Sequence, residues 1–203
     1  VGYLSFAKSD LYNFDPSSSS RGFATPRSWT FTSEMLEGED DLSESELVDL
    51  VAGCVGEFWT HISLNHLFEV DAAKEAQLFE NAVLFGKALQ LINILRDLPE
   101  DLRAGRCYIP ATVLSDHNLK PPDLLEKETM DRFQPIYTSY LKKTVNYFEA
   151  AASYIDMLPF SQFRMRGACT LPVIIGLKTV KILQQENILK NENRIKVSRP
   201  EVK

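Results

Sequence analysis

The chain has 203 residues, 22 Lys+Arg against 28 Asp+Glu, and a formal net charge of −6. Hydrophobic residues make up 44% and charged residues 25%, a globular composition that excludes wholesale disorder. The acidic balance excludes a general nucleic-acid binder, which would present a basic surface.

Three scattered cysteines, Cys54, Cys107 and Cys169, build neither a disulfide framework nor a zinc spacing, and they point to a reducing, cytoplasmic setting. The opening Val-Gly-Tyr-Leu-Ser carries no basic stretch ahead of an apolar run, so no signal peptide is expected there. Charges interrupt the apolar stretches before about 18 residues, so no membrane span is expected either.

In chain order, residues 1–43 read as an appended segment of loop and short helix. Asp15-Pro16 and the serines that follow are loop composition. Thr25 and Pro26 suit the cap and first position of a short helix reaching about residue 36. The acidic run Glu37-Gly38-Glu39-Asp40-Asp41 reads as a solvated turn. From Ser43 onward the pattern is helical, and the fold class expected is all-α, with a helical domain over 44–186. Ser43 and Glu46 form a capping box for a helix over 44–66. A second helix is predicted over 71–98. Pro110 and Pro121-Pro122 bound a loop-rich stretch with one short helix. A third long helix covers 127–157, where Pro135 predicts a kink or break. A fourth covers 161–186, and residues 187–203 read as a polar, frayed tail.

The chemistry concentrates on the second helix. With about 100° of turn per residue and Gln90 set to zero, Asn93 falls near −60°, Asp97 near −20° and Asp101 near +20°. Gly86 lies one turn earlier on the same face. The stripe therefore runs from a gap, through two amides, to two carboxylates. Oxygen ligands at this spacing suit magnesium, which takes one or two carboxylates, waters and the phosphates of a substrate. The gap at Gly86 is expected to leave room for an apolar substrate chain. Pro99 threatens to end the helix before Asp101. Leu89, Ile92 and Leu95 make the other side apolar, so the helix should be buried, with its stripe lining an internal cavity.

These residues resemble the squalene/phytoene synthase family of head-to-head prenyltransferases over about 50–186. The carrying motifs are Val51-Ala52-Gly53-Cys54-Val55-Gly56-Glu57-Phe58-Trp59 and Gly86-x3-Gln90-x2-Asn93-Ile94-x-Arg96-Asp97-x2-Glu100-Asp101. Gly105-Arg106-Cys107-Tyr108-Ile109-Pro110 continues the second, and Ala168-x2-Leu171-Pro172-x3-Gly176-Leu177 is similar to the family's late helix. The resemblance implies an isoprenoid-synthase-like helical bundle that condenses two prenyl diphosphates with magnesium through a cyclopropyl diphosphate. It implies that Asn93, Asp97 and Asp101 hold magnesium, and that Gly86 and Gln90 line the pocket beside it. Arg96 would pair with acidic groups near the metal, and Arg106 and Tyr108 would lie near the leaving group. Val51, Val55 and Gly56 would wall the tunnel for the chain. The Glu57-Phe58-Trp59 string and the Leu171-Pro172 helix look nearer the squalene side, which favours farnesyl diphosphate. Peripheral membrane contact through an apolar product is a further expectation.

The family's first aspartate-rich motif has no counterpart in a family-like setting here. Glu37-x3-Asp41 has the spacing but contains Gly38, and Leu47 stands where the family usually has a tyrosine. The expectation is a C-terminal portion of the family domain, short of one metal half-site. Residues 13–16 and 22–29 carry a weaker resemblance, to the lid of MoxR-type AAA+ ATPases, with Arg27 as a phosphate sensor. No phosphate-loop motif G-x-x-x-x-G-K-[ST] accompanies it. Two alternatives to the prenyltransferase therefore stand: a non-catalytic fragment or chimera that keeps half a diphosphate site, and an ATPase lid fragment. His61 and His66 point about 140° apart on their helix and cannot share a metal; His117 has no histidine or cysteine neighbour.

Overall fold

The computed structural model describes residues 44–190 together with 195 and 197, with side chains described from Ala52 onward. The readings made of residues 1–43 lie outside the described residues. Among the described residues there are five α-helices: α1 Glu44–His66, α2 Ala72–Arg103, α3 Ala111–Ser115, α4 Met130–Met157 and α5 Phe163–Leu183, with short 3₁₀ turns between them. No strand occurs among the described residues, so the all-α expectation holds.

Helix α2 is the axis of the bundle. Its N-terminus is set by Asp71, whose side chain accepts the backbone N–H of Lys74 at 2.9 Å. Helix α4 runs antiparallel to it: the Tyr137 hydroxyl reaches Leu95, and the Tyr154 ring lies 5.9 Å from Phe85. By length and composition α2 could cross a membrane, contrary to the expectation that charge breaks every such stretch. Its buried apolar residues pack the core. Leu78, Ala88, Leu95 and Leu98 are buried at the centre of the core, against Phe133, Tyr137 and Phe148 of α4.

Three expectations about boundaries are corrected. Helix α2 does not end at Pro99 but continues to Arg103. A proline at 99 cannot donate to the carbonyl of Leu95, and an orphaned carbonyl in a core is costly. The buried hydroxyl of Tyr137 donates to that carbonyl at 3.1 Å, which removes the penalty. Pro135 does not break α4; it sits near the first turn on the exposed side, where water can serve the carbonyl it orphans. The tail is not frayed from its start, because Ile188 and Leu189 form a 3₁₀ turn and bury themselves in the core.

Helices α1 and α2 approach closely. A Cβ built on Gly56 would stand 1.9 Å from the Ala82 carbonyl oxygen, and one on Gly86 would stand 2.1 Å from that of Ala52. The backbone of α1 thus packs against Gly86 on one side, and Gly86 also borders an apolar cavity.

Candidate prenyl diphosphate site

The stripe on α2 forms as its spacing requires, and the unbroken helix keeps Asp101 in line with Asp97, about 6 Å further along the axis. Its setting differs from the expected internal cavity. The side chains of Gln90 and Asn93 are exposed, while those of Asp97 and Asp101 are 18% and 16% exposed. The face of α2 that the core covers is the opposite one, so the polar stripe opens outward among the described residues.

Each carboxylate carries an arginine. Arg96 Nε and Nη2 donate to the two oxygens of Asp97, both at 2.9 Å, as a two-pronged fork. Arg106 Nε and Nη2 converge on Asp101 Oδ1 at 3.2 and 2.8 Å. The second pairing follows from how α2 ends. Gly105 takes φ +76°, a left-handed conformation that favours glycine. The Arg106 N–H then bonds the Asp101 carbonyl at 2.8 Å, and the Gly105 N–H bonds that of Leu102 at 3.0 Å. This pair of bonds is a Schellman ending, and it folds Arg106 back over the last carboxylate. The Asp101 carboxylate raises the Arg106 pKa, first through the hydrogen bond and then through its charge. Tyr108 follows on the same loop, half-buried.

Upstream of the stripe lies an apolar cavity of about 220 Å³. Val55, Gly56 and Trp59 of α1, Phe85, Gly86 and Leu89 of α2, Tyr154 of α4, and Cys169 and Pro172 of α5 line it. Gly56 and Gly86 thus serve both the helix contact and the cavity wall. Val51 lies on α1, with its side chain outside the described ones. At the inner wall Thr60 donates to the Gly56 carbonyl at 2.9 Å. Its one proton is used there, so the Tyr154 hydroxyl donates to Thr60 Oγ1, at 3.0 Å. This bond locks the Tyr154 ring, and burial pushes its pKa up to about 12. Burial also pushes the Cys169 thiol up, which keeps it protonated and apolar. The sequence singled out neither Tyr154 nor Thr60. Their roles depend on contact between α1 and α4, for which no local pattern exists.

The donor set can be tested against magnesium. Among the described residues no group of three or more His, Cys, Asp or Glu side chains could hold a metal unaided. Two carboxylates and an amide on one helix face do fit a cation that is shared with a diphosphate, since magnesium commonly takes that few protein ligands. His61 packs at a tilt of 50° against Phe79, with ring centroids 4.5 Å apart.

Comparison with known proteins gives this arrangement its class. Residues 39–201 match the squalene/phytoene synthase family. The chain belongs to that family. It is similar to a chloroplastic phytoene synthase of an Oncidium hybrid cultivar, 35% identical over 44% of this chain and 22% of that protein. It is also similar to the 15-cis-phytoene synthase of Enterobacter agglomerans, 28% identical over 64% of this chain and 42% of that one. A third relative is the 15-cis-phytoene synthase of Synechocystis sp., 39% identical over 39% of this chain and 23% of that protein. The chain spans between about a fifth and two fifths of the length of these relatives.

Proposed function

We propose that this chain supplies half of the diphosphate site, and part of the prenyl-chain wall, of a transferase that joins two prenyl diphosphates head to head. The observation that carries the reading is the order along α2: the apolar cavity ends at Leu89, and the polar stripe begins at the next residue, Gln90, and runs on through Asn93 to Asp101. A ligand with an apolar tail and an anionic head fits that order. Asn93, Asp97 and Asp101 would hold magnesium, which when bound stabilises the negative charge that develops on the departing pyrophosphate. The chain's own residues do the rest. Arg96 and Arg106 bring positive charge to the head, and the cavity walls of Phe85, Leu89 and Tyr154 exclude water from the cationic tail. Farnesyl diphosphate is the substrate favoured by the sequence, and geranylgeranyl diphosphate is the competitor to test beside it.

Calorimetry with inorganic pyrophosphate tests the site. Binding should require magnesium and vanish in Asp97→Ala. It should survive in Gln77→Ala, whose side chain donates to Glu80 at 3.1 Å on the exposed N-terminal part of α2. Equal binding by both variants removes the stripe from the argument.

The outward-opening stripe favours a second reading, a half-site that binds but does not turn over. Ionisation depends on neutralising the leaving group, so a missing set of ligands should cost on the order of 10³-fold or more in rate. Purified chain with magnesium and labelled farnesyl diphosphate is expected to form apolar product at or below detection. Robust formation of a C30 hydrocarbon refutes the half-site reading.

A further inference from the structure

The pairing of each carboxylate on the stripe with its own arginine has a consequence for the order of binding. Arg96 takes both oxygens of Asp97, and Arg106 sets two donors on one oxygen of Asp101. A carboxylate presents about four lone-pair positions, and a forked guanidinium uses the edge that a metal would also approach. A divalent cation therefore has to displace both arginines or share the carboxylates with them.

Resting on the proposed site, we infer that Arg96 and Arg106 are a handover device: they occupy the carboxylates in the resting chain and pass to the diphosphate when the cation takes their place. Displacement without an anion leaves two guanidinium groups beside a dication, and like charges at that range repel. Displacement with a diphosphate gives each freed guanidinium a bidentate acceptor of the kind it prefers. The cation and the anion thus bind as a unit, each raising the affinity for the other by the same factor. The exchange needs little motion. Arg96 neighbours Asp97 in sequence and only has to rotate its side chain. Arg106 stands just past the left-handed Gly105, more than half exposed, with its side chain free to swing off Asp101 towards solvent. The arrangement keeps the cation from settling on the stripe before the substrate arrives.

The test uses the full chain, Mn²⁺ as the metal probe read by electron paramagnetic resonance, and inorganic pyrophosphate as the anion. Arg96→Gln and Arg106→Gln are expected to bind Mn²⁺ alone more tightly than the parent, by roughly two- to fivefold each, the range set by exposed ion pairs. Both should also lose part of the factor by which pyrophosphate tightens Mn²⁺ binding. Asp97→Asn serves as the reference and should weaken Mn²⁺ binding with and without pyrophosphate. Circular dichroism verifies that each variant keeps its helices. If the arginine variants bind Mn²⁺ alone no better than the parent while Asp97→Asn binds worse, the handover is overturned and the site stands. If Asp97→Asn binds Mn²⁺ as well as the parent, the site falls and takes the handover with it.

Discussion

Removing the Tyr137 hydroxyl should destabilise the chain for a reason that a second substitution can cancel. Tyr137→Phe keeps the ring in the core but strips the donor that serves the Leu95 carbonyl, 42 residues away. That carbonyl has no helical donor because Pro99 stands four residues on. A buried acceptor left unsatisfied costs about 1–3 kcal/mol. For a chain of this size that is a fall in Tm of roughly 2–4 °C per kcal/mol. Pro99→Ala restores an N–H to the same carbonyl. In that background Tyr137→Phe should cost no more than an ordinary hydrogen bond, about 1 kcal/mol or less. The measurement is a double-mutant cycle by urea denaturation, with the coupling taken from the midpoints. Equal cost in both backgrounds, or no cost in either, refutes the claim that Tyr137 substitutes for the missing proline donor. The same bond lets α2 carry Asp101, so Tyr137→Phe should also weaken magnesium-dependent pyrophosphate binding.

Other expectations follow from the helix contact and from the buried phenols. Gly86→Ala drives a methyl into the Ala52 carbonyl and should cost about 1–3 kcal/mol or more by thermal melting; Gly53→Ala, whose nearest neighbours are the side chains of Val83 at 3.0 Å and Lys87 at 3.5 Å, should cost clearly less. Gly105→Ala strains a left-handed residue, so it should loosen the Arg106–Asp101 pair and lower pyrophosphate affinity more than it lowers Tm. Tyr154 titrates near 12 when folded against about 10 when unfolded, so between those values the folded chain holds the extra proton. Its contribution to stability is complete below pH 10 and is lost as pH rises from 10 through 12. Tyr137 is raised by burial too, so Tyr154→Phe should flatten the alkaline fall in stability only in part, as read by denaturation at successive pH values.

Much of the fold was legible in the sequence because helices are local. The 3.6-residue period gave α1 and α2 their places, and the 3–4–4 spacing put Asn93, Asp97 and Asp101 on one face before any partner was known. The arginine side of the site was half legible: Ala104-Gly105 spells a helix stop, and such a stop can turn the next residue back over the last turn. What the sequence could not decide was which gaps the fold fills. Gly86 looked like space for a ligand; it does border the apolar cavity, and its missing side chain also lets the α1 backbone come close. Pro99 looked like an end, but a tyrosine from another helix makes it a passage. The stripe looked internal because its helix is apolar, yet among the described residues the core covers the other face. Periodicity and spacing are set by residues within a turn or two of each other, so the sequence by itself determined the helices and the order of groups along α2. Closure, exposure and the rescue of an orphaned carbonyl depend on residues brought together from distant parts of the chain, and only the tertiary structure decided those.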